Sequence, residues 1–280
     1  MLRLAGLRHL ALPLLAGACL FSRALAATLP DSAAAAVILE HFRQTIWAEP
    51  VYAEFDLRQL PRRGEEKDFH GRFWGSRNSE GPVTRVELDV GKGGFTRHIL
   101  IQGGPDGGIW TSDGPGPGKL DPDALLAPLV PGVEMTPFDL LPTPYLYWLD
   151  YQLTSVDRIR GRPSYAFVFT PPGDFSERFP GVRAVRAYLD TQYDALVQSE
   201  AFGPSQKIAK TLSLLELRKV GDRWIPKDVD VRNEASRDKT RLSLTAVSVG
   251  VVPDPAAFDP AKLGSAVAPV PASGLLRVGQ

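Results

Sequence analysis

The chain has 280 residues, with 32 Lys and Arg against 32 Asp and Glu, and 44% of it is hydrophobic. That balance leaves no basic excess to hold a phosphate backbone, which argues against nucleic acid as a partner, while the apolar share suits a globular protein with a full core. Roughly 230 residues remain after a leader and a tail are set aside, and no low-complexity linker interrupts them, so residues 27–263 read as one domain.

Residues 1–26 read as an export signal peptide. Arg3 and Arg8 are its positive start, and Leu10 to Phe21 is apolar but shorter than the ~20 residues a spanning helix needs. Ala24-Leu25-Ala26 is a small-x-small cleavage site. The alternative is a lipoprotein signal ending before Cys19, since Leu15-Ala16-Gly17-Ala18-Cys19 loosely resembles a lipobox without its usual leucine three places before the cysteine. Cys19 is the sole cysteine. A chain cut after Ala26 therefore has no disulfide framework and must be stabilised by its core.

Asp31 or Ser32 can cap a helix running to about Ala48. Ala34, Ile38 and Phe42 form its apolar stripe, with Ala35 and Ile46 beside it. Strand candidates follow at Val51 to Leu57, Phe69 to Trp74, Val86 to Val90, Phe95 to Gln102 and, within a Gly-rich loop, Ile109 to Ser112. Phe69 and Phe73 share one face of their strand, with Arg72 and Trp74 on the other. Glu87 and Asp89 share a face that reads as the solvated outer side of a sheet. Asp123 to Leu129 and Pro137 to Leu141 read as helical turns, and Pro142 and Pro144 stop any long helix there.

Further strands are expected at Tyr151 to Arg160, Tyr165 to Thr170, Arg183 to Asp190 and Leu196 to Phe202. Three long strands close the domain, with returns at Gly221-Asp222 and Asn233 to Asp238. The whole amounts to about eleven antiparallel strands, mainly β with one N-terminal helix and a helical interruption near 120–149. Two closing strands change phase, one at Leu214/Leu215 and one at Ala246/Val247. Either a β-bulge causes this, or the strand is apolar on both faces. Residues 264–280, small residues with proline, read as a loosely ordered tail.

Equipment for bond chemistry is sparse. The histidines do not fall at metal-ligand spacing, and no GxSxG elbow or phosphate loop occurs. No catalytic residue, metal site or cofactor is expected. The aromatic side chains are the better candidates. Trp74, Trp110, Tyr145, Tyr147, Trp148, Tyr165, Phe167, Phe169 and Trp224 would line an apolar cavity if they converged, and are plain core otherwise.

Several segments together resemble the outer membrane lipoprotein-sorting protein family, within the LolA/LolB/RseB-like superfamily. They are Lys210-Thr211-Leu212, Gly221 to Pro226, Asp230 to Glu234, Lys239 to Leu242 and Phe258-Asp259-Pro260. The helix AVILEHFRQTIW, the stretch MTPFDLLPTPYLYWLDYQL, and Gly161 to Tyr165 before a strand ending in Pro171-Pro172 fit as well. The resemblance spans most of residues 32–263. It implies an antiparallel half-barrel whose concave apolar face is covered by a helical lid segment, with Ile38, Phe42 and Ile46 as lid candidates from the helix. It implies a non-enzymatic, exported periplasmic protein that binds lipoprotein acyl chains or another lipid. The alternative it offers is a non-transporting envelope interaction or sensor module, RseB-like or LolB-like, meeting an envelope membrane protein and anchored through Cys19. The strand arginine that holds the founding carrier's lid shut has no counterpart in sequence context, although Arg72 and Arg85 lie on strands.

Overall fold

The computed structural model describes residues 29–91, 94–193, 195–221, 223–268 and 270–278. The export signal and Cys19 lie outside the described residues. One helix, α1 (Ser32–Thr45), precedes the sheet. Asp31 caps it, its side chain accepting the Ala34 amide at 2.9 Å. The first run of strands is β1 (Val51–Leu60), β2 (Lys67–Asn78), β3 (Gly81–Asp89), β4 (Phe95–Gln102), β5 (Gly108–Asp113) and β6 (Lys119–Leu120). The second is β7 (Asp150–Ile159), β8 (Arg162–Thr170), β9 (Ala184–Asp190), β10 (Leu196–Phe202), β11 (Ile208–Val220), β12 (Arg223–Asn233), β13 (Lys239–Val249) and β14 (Leu276–Arg277). A short helix, α2 (Gly173–Arg178), links β8 to β9.

All the strands join one antiparallel sheet of 14 strands in the order β6-β5-β4-β3-β2-β1-β13-β12-β11-β10-β9-β8-β7, with β14 beside β13. The sheet is open, because its end strands β6 and β7 do not pair with each other. The count exceeds the expected eleven partly through β6 and β14, two residues each and too short to show alternation.

Both phase slips are bulges. Thr245 is skipped in the β13 register between Leu244, opposite Phe55, and Ala246, opposite Glu54. Leu215 is skipped in β11 between Leu214 and Glu216. In β13 the extra residue returns Val247 and Val249 to the core face of Leu242 and Leu244, whereas in β11 Leu215 and Leu217 stay outside the core clusters.

The order explains the lid. The chain leaves the sheet at the β6 edge and re-enters at the β7 edge, so residues 121–149 must cross the entire concave face. They do so in three 3₁₀ turns, Pro122–Leu126, Pro137–Asp139 and Pro144–Tyr147, the first two at the expected helical turns. A proline opens each turn and leaves a backbone donor missing, which suits single turns. Two apolar clusters fill the space beneath. One joins Phe55, Val86, Leu88, Ile99 and Val231 to Leu129, Val130, Val133 and Met135 of the crossing segment. The other joins Phe167, Phe169, Val185 and Ala187 to Phe138, Tyr145, Leu146 and Trp148, with α1 on top.

α1 buries Ala35, Leu39, Phe42 and Ile46, while Ile38 is partly buried and Ala34 exposed. The stripe is thus rotated slightly from the expected one. Gly75 of β2 makes room for α1's exit, since a Cβ there would lie 2.5 Å from the Trp47 ring.

The tail carries more structure than its composition suggests. β12 pairs with β13 only between Lys239 and Ser243. β14 pairs with β13 beyond that point, at Ala246 and Val247, and Val278 is buried in the core. The Val278 amide donates to the carbonyl of the bulge residue Thr245 at 2.9 Å. The returning tail thus covers ladder positions that the diverging β12 leaves open.

Candidate functional site

Strand alternation separates the sheet into two faces, and each is covered by a different segment. On the concave face Phe73, Val86, Leu88, Ile99 and Ile101 meet the crossing segment. On the outer face of the same strands Val83, Arg85 and Leu100 meet a strap at residues 254–265, with Trp74, Glu87 and His98 on the same face.

The crossing segment is held down by side chains reaching its backbone. Arg97 donates to the Leu129 carbonyl at 3.1 Å. Thr240 Oγ1 accepts the Glu134 amide at 2.6 Å. Thr84 Oγ1 donates to the Leu141 carbonyl at 2.7 Å while accepting from the Trp47 indole at 2.8 Å. Arg43 of α1 donates to the Leu146 carbonyl at 2.6 Å. Lys210 adds an ion pair to Asp139 at 3.0 Å. A 3₁₀ segment leaves many carbonyls unbonded, and these pins satisfy some of them.

Of the aromatic candidates, Tyr145, Trp148, Phe167 and Phe169 converge in the α1-covered cluster, and Tyr147 and Tyr165 pack against it. Tyr145 lies 5.9 Å from Phe169 and 5.3 Å from Phe138, ring to ring. Ile38, Phe42 and Ile46 of α1 join the same cluster. Trp74, Trp110 and Trp224 lie elsewhere. Trp74 and Trp110 are on the outer face, and Trp224 sits half-exposed by the β11–β12 turn against Tyr193. Alternation already placed Trp74 opposite Phe73, and that was the usable signal.

The converged cluster is packed rather than hollow, with Phe167 and Phe169 fully buried. Its polar fittings are less complete. The Tyr147 hydroxyl is buried with no hydrogen-bond partner among the described residues, and the buried Tyr145 hydroxyl and Thr143 Oγ1 make no well-formed bond, Tyr145 having only Thr143 and Ser199 beside it. Burial pushes the Tyr145 hydroxyl pKa up to about 12, so it stays protonated and able to donate.

The outer face holds what alternation could not reveal. Glu87 is 1% exposed, not solvated. Arg72 Nε donates to its Oε2 at 2.7 Å, Arg85 Nε donates to its Oε1 at 2.9 Å, and the His98 ring lies 3.6 Å away. Burial alone would raise its pKa. The His98 interaction and the Arg72 and Arg85 charges together outweigh burial and hold the carboxyl below the usual carboxylate range. Arg85, fully buried, also donates to the carbonyls of Ala257 at 3.1 Å, Leu263 at 2.7 Å and Ser265 at 2.7 Å. An arginine latch therefore exists in this fold, but it fastens the C-terminal strap to the outer face and not the lid to the inner one. Leu263, buried with Val83 and Leu100, completes the attachment.

No protein-family model matches the chain, and no curated protein matches it. Solved structures do. An outer membrane lipoprotein-sorting protein domain from Vibrio parahaemolyticus is 13% identical with a TM-score of 0.66, covering 79% of this chain and 94% of that one. A DUF1329 family protein from Desulfovibrio piger is 13% identical with a TM-score of 0.63, covering 81% and 96%. A LolA superfamily protein from Nitrosomonas europaea is 13% identical with a TM-score of 0.59, covering 79% and 95%. At such identity the likeness is one of fold, and the fold is LolA-like.

Proposed function

We propose that this is an exported, periplasmic, lipoprotein-sorting or carrier-like protein that shelters acyl chains, or another apolar ligand, on the concave face beneath residues 122–148. The carrying observation is the crossing segment itself. It lays an apolar underside on an apolar sheet, yet it has no regular helix and is held by a few side-chain bonds. Bonds of this kind contribute about 1 kcal/mol each. An acyl chain taking the segment's place gains about 0.8 kcal/mol per buried methylene, which is set against these bonds and the burial of Leu129, Val130, Val133 and Met135. The buried Tyr147 hydroxyl, and the weakly bonded Tyr145 and Thr143 hydroxyls, would bond the ester or amide that joins such a chain to its carrier.

Delipidated mature protein should take up a fluorescent fatty acid or a lipopeptide, and hydrogen exchange should change in residues 129–148. Failure of uptake with both probes would sink the reading. It would favour a second one, an envelope interaction or sensor module that carries no lipid, for which the filled core around Phe167 and Phe169 speaks. Mass spectrometry of Cys19 decides anchorage: a diacylated Cys19 supports a membrane-attached form, and a chain beginning at Ala27 supports a free shuttle.

A further inference from the structure

The outer face of the sheet's other half is not under the strap. Register puts Gln198, Ser213 and Asp230 in one row there, and Glu200, Thr211 and Arg232 in the next. Both rows face away from Leu212, Leu214, Val229 and Val231. They floor an open groove of about 580 Å³, with Arg160, from the β7–β8 turn, and Lys239 on its margin. A second hollow of about 300 Å³ also includes Arg160, has Arg162 and Glu216 on its margin, and is otherwise lined by Tyr193, Trp224, Val197 and the bulge leucines Leu214, Leu215 and Leu217. The two hollows therefore adjoin at Arg160, one mainly polar and one with an apolar floor between charged margins.

Charge accounting gives the groove a sign. Asp230 is matched by Arg241 through bonds of 2.7 and 3.0 Å. Glu234 is matched by Arg232 at 2.7 Å and Arg237 at 2.9 Å. Glu200 accepts from Gln198 at 2.8 Å and meets Arg186 at 3.4 Å. Glu216, at the edge of the apolar hollow, pairs with Lys227 at 2.9 Å. The acids are thus neutralised in place. Arg160 and Lys239 make no ion pair with any described residue. Of these two positive charges, Arg160 sits at the junction of the hollows and Lys239 on the margin of the polar one.

The apolar hollow has its own exposed surface. Tyr193 is 40% and Trp224 46% exposed, with ring centroids 5.8 Å apart. Arg162 stacks 4.4 Å over Tyr193 and bonds Asp190 at 2.6 Å, which fixes the ring without covering Trp224. Exposed aromatics in a patch beside an unmatched cation fit a ligand that is greasy at one end and charged at the other.

We infer that this outer groove binds an anionic amphiphile, its apolar chain against Tyr193, Leu215, Leu217 and Trp224 and its phosphate or carboxylate at Arg160. Its polar groove lies on the sheet face opposite the proposed acyl-chain site, and the inference does not depend on that site. Dodecyl phosphate, inorganic phosphate and dodecyl maltoside, titrated into the mature protein below their micelle concentrations, test it by calorimetry and hydrogen exchange. Dodecyl phosphate should bind and protect residues 213–221 and 223–226. Arg160→Gln and Trp224→Ala, both exposed positions, should each weaken it about tenfold. Inorganic phosphate and dodecyl maltoside should bind far more weakly, because each lacks one half of the ligand. Equal binding of inorganic phosphate would reduce the site to a simple anion site and overturn the inference. So would affinity unchanged in both variants, protection confined to residues 129–148, or no binding of dodecyl phosphate.

Discussion

Arg85 and Glu87 set the energetics of the outer face at the scale of single residues. Removing Arg85 leaves a buried carboxylate short of a partner and three strap carbonyls without their donor. Breaking a buried pair in this way costs about 3–5 kcal/mol. Arg85→Leu should lower the urea midpoint accordingly, and an unchanged midpoint would show that the strap is held by Leu263 and Phe258 alone. The Glu87 shift has a definite pH signature. Its folded pKa lies below its unfolded value, so the stabilisation is fully present above the ordinary carboxylate range and is lost as pH falls through the depressed folded value. Unfolding free energy measured from pH 7 down to pH 3 should fall more steeply in the native chain than in Glu87→Gln. Parallel curves would mean that Glu87 is not preferentially ionised by folding. None of this was legible beforehand. The alternation around Glu87 was read correctly, but which face is wet depends on a strap about 170 residues away, and no local pattern carries that.

Strands long enough to alternate were legible at the scale of elements, and so was α1 from its cap. Alternation also flagged both bulges, while leaving open whether a bulge or a two-faced strand was the cause. Only pairing partners settle that. The lid's location and two of its turns were legible from the prolines, while the third turn, Pro144–Tyr147, and the 3₁₀ geometry were not, because Pro144 reads equally well as a stop or as the first residue of a turn. The tail was underestimated for a different reason. Three residues, Leu276 to Val278, do the work, and their neighbours are compositionally loop-like. Truncation after Ala268 should expose β13 beyond Ser243 and remove Val278 from the core. We expect a loss of about 1–3 kcal/mol in denaturant unfolding together with a greater tendency to associate through the opened edge. A truncated chain as stable and as monomeric as the full one would show that β14 contributes nothing.

The whole molecule is one wide sheet with two independent covers, a pinned crossing segment inside and a latched strap outside. The arrangement follows from chain order. A strand path that starts at the sheet's middle, runs to one edge and resumes at the other requires a connection across the concave face, and the apolar side chains of that connection complete the core. Several expected site residues were brought together because Tyr145, Trp148, Phe167 and Phe169 belong to the crossing segment and the strands under it. Trp224 was not, because a residue beside a turn answers to the turn rather than to the sheet face. The proposed ligand displaces the crossing segment, so fastening that segment is the decisive test. Glu134→Cys with Thr240→Cys places two thiols where the Glu134 amide meets the Thr240 hydroxyl at 2.6 Å. The oxidised variant should lose uptake of a fluorescent fatty acid and regain it on reduction. Uptake that is the same in the oxidised and reduced states would contradict binding beneath the lid.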